Sequence, residues 1–195
     1  MSKKAVMFPS PTIIKPFLKW AGGKFRIVPE LKKKFPKDGK RFFEPFVGAG
    51  SVSLNVDYPE YIISDSNQDL MSVYSNFKNH GMNFVEECRK MFVPKNNTRN
   101  AFAALKEEFN STDDNSRKAV LFIYLNRHCF NGLCRYNSSG EFNTPIGNYP
   151  EPYFPEKEQG SSAPSSPEPL RHGPDSGPSP HRPAARRRSG GQDRR

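Results

Sequence analysis

The sequence predicts a doubly wound α/β fold that is incomplete, followed by a helical region bearing a β-hairpin and by a disordered tail. Three observations carry this. The first is a strand–turn–helix signal, in which Arg41-Phe42-Phe43 leads into the glycine-rich Glu44–Ser51 segment EPFVGAGS and then Val52-Ser53-Leu54. The second is another short strand, Tyr61-Ile62-Ile63-Ser64-Asp65, which ends in an acid about 15 residues after Gly50. An acid at the tip of the second strand is where such sheets grip a ribose, and glycines at the first turn let backbone approach a nucleotide-like ligand. The third is a break in composition near Gln159, beyond which Lys, aromatics, Ile and Val are absent.

Residues 1–16 read as a loose, proline-punctuated lead-in. In the segment Phe17–Lys24 (FLKWAGGK), Gly-Gly-Lys lacks the rest of a phosphate loop, with Phe25 where Ser or Thr belongs. Trp20 offers a flat face for a base or a cation, and Lys24 a point charge for a carboxylate. Apolar positions 25, 27, 28, 31 and 35 have a helical period, with Pro29 predicting a late start or a kink. Val52-Ser53-Leu54 is expected to open the helix after the glycine turn. Ser66-Asn67 caps a helix with an apolar face of Leu70, Val73, Tyr74 and Phe77, closed by Gly81. Met82 to Met91 reads as a helix, 94–100 as a loop, and Phe102, Leu105 and Phe109 mark another helix. Ala119–Leu125, the most apolar run in the chain, reads as a buried helix.

From Asn126 the character changes. Asn131-Gly132 and Ser138-Ser139-Gly140 are turn signals between short β-prone arms, which predicts a hairpin. Arg127 and Arg135 can reach phosphates or guanine edges, and Asn131 can read an adenine edge. Phe130, Leu133 and Tyr136 can wedge or stack against bases. On composition alone a surface loop with aromatic anchors is an equal alternative. Tyr149 to Pro155 is an extended proline–aromatic segment. The last residues, including Arg186-Arg187-Arg188, cannot bury enough apolar surface to offset their ordering entropy.

The formal net charge is +10, with 23 basic against 16 acidic side chains in residues 1–157 and 7 against 4 thereafter. That excess predicts an anionic partner, with nucleic acid first. Cys88, Cys129 and Cys134 lack metal spacing, and reduced thiols fit a cytoplasmic setting. No apolar run or signal-like segment predicts a membrane location.

The segments FLKWAGGK, EPFVGAGS, SDSN at Ser64–Asn67, NGLCRYN at Asn131–Asn137, GEFNTPIG at Gly140–Gly147 and PYFP at Pro152–Pro155 together closely resemble DNA adenine methyltransferases of the Dam type. The resemblance covers about residues 15–157. It implies an incomplete Rossmann-like S-adenosylmethionine-dependent methyltransferase fold, with 17–80 as the N-terminal part of the donor-binding α/β domain, 81–157 as a helical target-recognition domain with its hairpin, and 158–195 as a non-homologous tail. The implied activity is methyl transfer from S-adenosyl-L-methionine to N6 of adenine in double-stranded GATC DNA, without a metal. The resemblance further implies that Trp20, Lys24, Phe46, Gly48, Gly50 and Asp65 contact the donor. On the DNA it implies Lys19 at the first guanine, Phe130 inserted near the target base with Asn131 beside it, and Leu133, Arg135 and Pro145 reading the sequence. Asn148 stands where family members often carry arginine. The family's catalytic [DNS]PP[YFW] tetrapeptide, which holds the flipped adenine, has no counterpart, since the sequence contains no Pro-Pro. Pro150-Glu151-Pro152-Tyr153 has separated prolines and falls too early. The expectation is therefore an inactive chain. A non-catalytic DNA-binding remnant and a chain that fails to fold stay open beside it; a nicotinamide-type enzyme is disfavoured by Ser53 at the third glycine position.

Overall fold

The computed structural model describes residues 13–150 and 153–155, so the tail expected at 158–195 lies outside the described residues. A 3-10 turn, Phe25–Ile27, runs into α1 (Val28–Lys34), whose Pro29 sits in the first turn. Proline has no amide hydrogen to donate and costs nothing there. The late helix start is thus explained. Strand β1 (Arg41–Glu44) pairs in parallel with β2 (Glu60–Ile63), Phe42 opposite Tyr61 and Phe43 opposite Ile62.

The expected helix after the glycine turn is a single 3-10 turn, Ser53–Asn55. Asn55 ends it. Its side-chain amide donates to the Ser51 carbonyl at 2.9 Å, the acceptor that a continuing α-helix gives to the residue-55 backbone. The same amide group also pairs with the Ile14 backbone in both directions, at 2.7 and 2.8 Å.

Four helices follow. In α2 (Gln68–His80) the Asn67 side chain accepts from the Leu70 amide, and Gly81 closes it with a φ of 50°. Next come α3 (Met82–Arg89) and α4 (Arg99–Ser111), the latter capped by Thr98. α5 (Asn115–His128) is capped by Asp114, which accepts from both Ser116 and Arg117. Every residue from Ala119 to His128 is buried, so α5 is enclosed on all sides rather than half-exposed. It extends three residues beyond the apolar run, which carries Asn126, Arg127 and His128 inside with it.

α2, α3 and α4 all pack on α5. The buried cluster runs without a break from Phe17, Leu18, Val47 and Ala49 through Leu70 and Val73 to Phe122 and Phe142. After α5 the chain makes the expected hairpin, with Asn143 donating to the Arg135 carbonyl at 3.0 Å and Asn137 to Glu141 at 2.9 Å. Its arms meet as isolated bridges, Tyr136 with Phe142 and Cys129 with Ile146. Thr144 interrupts the ladder by taking the Arg135 amide and donating to the Leu133 carbonyl.

Candidate functional site

The glycine turn sits between the ends of β1 and β2. The Val47 amide donates to the Ser64 carbonyl at 2.9 Å, and the Gly48 amide to Asp65 Oδ2 at 3.0 Å. Asp65 Oδ1 accepts from the Asn67 amide, so one carboxylate joins the turn to the start of α2. Tyr74, on α2, donates its phenol to the Gly48 carbonyl at 2.7 Å. Burial first, and then the charges of Glu44 and Asp65, push this phenol well above its ordinary range and keep it a donor. Glu44 accepts from the Ser53 amide, and burial raises its carboxyl.

Gly48 has a φ of 49°, and a β-carbon there would lie 2.8 Å from the Trp20 ring. Trp20 therefore lies directly on the turn. Beside it is a cavity of about 390 Å³ lined by Trp20, Gly22, Gly23, Ala49 and Ser51, among others. Lys24 does not line this cavity; it is exposed, its ammonium donating to the Gly22 carbonyl at 2.7 Å. Phe46 projects beyond β1 with 85% of its surface exposed. Asp65 does not line this cavity; two of its acceptor sites hold backbone, and the other lone pairs of its carboxylate stay available.

Trp20 also lines a second cavity of about 360 Å³, shared with Ala21, Gly132, Leu133, Cys134 and Arg135. Phe130, 51% exposed, and Asn131, Leu133, Arg135 and Pro145 are all exposed, Leu133 and Arg135 on the cavity wall. Asn131 adopts a φ of 53° and donates its amide to the Tyr149 hydroxyl at 3.0 Å. The Phe130 amide donates to the Pro145 carbonyl, and Arg135 rests on Asn143 at 3.0 Å. The Lys19 ammonium lies 3.6 Å from the centre of the Tyr149 ring.

Arg127 is not brought to the protein surface. It is 6% exposed, donates to the Phe17 carbonyl at 3.2 Å, and stacks on Tyr153 at 4.6 Å. Its Nε finds no acceptor among the described residues. α5 continues through Arg127 and turns its side chain inward, so it does not take the exposed position expected of it.

Sequence reasoning missed Asn126, Tyr74 and Tyr149 as parts of the site. Tyr74 was legible as part of an apolar helix face, and its hydroxyl gave no further sign. Asn126 did leave a signal, an amide at the end of the most apolar helix. A buried amide requires partners.

No group of three or more His, Cys, Asp and Glu side chains able to hold a metal occurs among the described residues. No helix among them is long and apolar enough to cross a membrane. The sequence model of the D12 class N6 adenine-specific DNA methyltransferases matches residues 20–165. The chain is 52% identical over 142 residues to the DNA adenine methylase of Serratia marcescens, covering 73% of this chain and 52% of that protein. It is 51% identical over 142 residues to the DNA adenine methylase of Escherichia coli (strain K12), with 73% and 51% covered. Against the DNA adenine methylase of Vibrio cholerae serotype O1 (strain ATCC 39541) the identity is 44% over 142 residues, with the same coverage of 73% and 51%. The chain spans about half the length of the curated relatives it matches. With a match across three quarters of its length, the chain belongs to the D12 class of N6 adenine-specific DNA methyltransferases.

Proposed function

We propose that this chain binds S-adenosyl-L-methionine beside Trp20 and GATC duplex DNA on the hairpin surface, and that the 195-residue chain does not itself transfer the methyl group. One observation carries the reading: Trp20 is a wall of both cavities, the one over the glycine turn and the one under the hairpin. A ligand on the turn and a base delivered by the hairpin would meet across that ring.

The residues fit the donor. Gly48 lets the indole of Trp20 seat on the turn, that indole with Ala49 and Ser51 walls the neighbouring cavity and supplies an apolar face, and Asp65 keeps lone pairs for a ribose. When bound, the donor supplies an electrophilic methyl group. The chain's own part is to orient it: Trp20 and the turn hold the ligand, and Lys24 offers charge to a carboxylate. On the DNA side Phe130 and Asn131 project where a wedge enters a duplex, Leu133, Arg135 and Pro145 meet base edges, and Lys19 approaches a guanine. Arg127, being buried, supports the joint beneath that surface instead of touching DNA.

Turnover additionally needs groups that hold the flipped adenine's amino nitrogen in line with the methyl, and the [DNS]PP[YFW] tetrapeptide is absent from the sequence. Losing alignment of a whole site costs on the order of 7 kcal/mol of barrier or more. The test uses the purified chain. S-adenosylhomocysteine should shift Trp20 fluorescence, since the sequence holds one tryptophan, and Trp20→Ala should abolish calorimetric binding. GATC duplex should bind more tightly than a scrambled duplex at matched salt, with affinity falling as salt rises. Equal affinity for the two duplexes, or labelled methyl appearing in GATC DNA, would overturn the corresponding half of the reading.

A further inference from the structure

Resting on that reading, we infer that Asn126 is a positioning residue that couples donor binding to DNA recognition. Asn126 is fully buried at the end of α5, 107 residues from Lys19 in sequence. Its Oδ1 accepts from the Lys19 backbone amide at 2.9 Å, and its Nδ2 donates to the Lys19 carbonyl at 2.7 Å. The same Nδ2 donates to the Gly132 carbonyl at 3.1 Å. One side chain thus spans the residue before Trp20 and the turn between Phe130 and Leu133. No other amino acid presents an acceptor and two donors at this size; of the isosteres, Asp loses both donors and Leu loses the whole set.

The contact is close as well as bonded. Gly132 has a φ of 67°, and a β-carbon there would run into the Lys19 side chain. The donor loop and the hairpin turn therefore touch directly, backbone against stem, with the amide as the clasp. In a low-dielectric interior these bonds are strong and directional, and breaking any one of them strands a buried partner. A shift of the donor loop at Trp20 cannot leave the Phe130–Leu133 turn where it was. The converse holds for a shift imposed by DNA on Phe130.

Coupling of this kind is reciprocal. In the wild-type chain, saturating S-adenosylhomocysteine should change the affinity for a GATC duplex by roughly 5-fold or more, and the duplex should change the affinity for S-adenosylhomocysteine by the same factor. Asn126→Ala should bring both factors close to one. Gly132→Ala, which presses on the same junction from the hairpin side, should change the factor as well and serves if Asn126→Ala unfolds. A merely structural role would lower both affinities and leave their ratio alone. Two outcomes overturn the inference: independent binding of the two ligands to the wild-type chain, or an unchanged factor in folded Asn126→Ala or Gly132→Ala. If the wild-type chain binds neither ligand, the functional reading fails with it; if it binds both independently, the coupling fails by itself.

Discussion

Helix α5 and the β1–β2 sheet are both apolar in sequence, and their surroundings differ entirely. α5 is covered by α2, α3 and α4 and buries ten consecutive residues. Among the described residues the sheet has two strands, and an aromatic cluster packs on one of its faces. Phe42 meets Phe35, Tyr58 and Tyr61 there, with ring centroids 5.3 to 6.2 Å apart. Side chains alternate along each strand, so Arg41, Phe43, Glu60 and Ile62 share the opposite face. Phe43 is 59% exposed on it, beside an ion pair of Arg41 with Glu60 at 2.6 Å. Parallel sheets are ordinarily covered on both faces. Stability is therefore concentrated in the helical region, while the region named for donor binding leans on it.

The largest effect that tests this contrast is a truncation in α5. Phe122→Ala should cost about 3–5 kcal/mol, since its ring is fully buried and packed on Trp20 and Phe109. Urea unfolding should show the midpoint fall accordingly; a loss below about 1 kcal/mol would break the comparison.

Acid should act through the same helix. The His128 ring lies 3.9 Å from that of Tyr124 and 5.3 Å from that of Phe92, and its Nδ1 donates to the Tyr124 carbonyl at 2.8 Å in the neutral form. Burial, helped by the charges of Lys19 and Arg127 and opposed by the Tyr124 bond, lowers its pKa to about 4. The unfolded chain takes up the proton first, near the ordinary value of about 6.5. This contribution is therefore complete above about pH 6.5 and is lost as pH falls toward about 4, amounting to about 3 kcal/mol. Unfolding free energies across that window, compared between wild type and His128→Gln, should diverge; parallel curves would remove His128 from the account.

The smallest effect belongs to the open face. Phe43→Thr should change stability by no more than about 0.5 kcal/mol, because Thr suits a strand and little packing is lost. A loss as large as that of Phe122→Ala would mean that the face is covered in solution.

Legibility followed the same division. α2 was readable because Asn67, its apolar face and Gly81 agree with one another. The strand–turn–strand order was readable because the glycines and Asp65 have strong local signals. The short turn at Ser53–Asn55 was not, since the Asn55 amide that takes the Ser51 carbonyl is itself held by the Ile14 backbone, 41 residues away. The burial of Arg127 was hidden for a related reason: arginine reads as surface, and its burial is decided by how far α5 continues. Phe130, Asn131, Leu133, Arg135 and Pro145 were named from the sequence, and each is exposed. The partner that unites the Phe130–Leu133 turn with Trp20, Asn126, has meaning only through contacts 107 residues apart.

Asp65 holds Gly48 and Asn67 at once, Trp20 fills the space that Gly48 leaves, and Tyr74 anchors the turn from α2. Each of these residues would be retained by folding alone. A chain of this family that had no methyl transfer to perform would still use its tryptophan, glycines and acid in these contacts. The written signature of the chemistry can therefore outlive the chemistry.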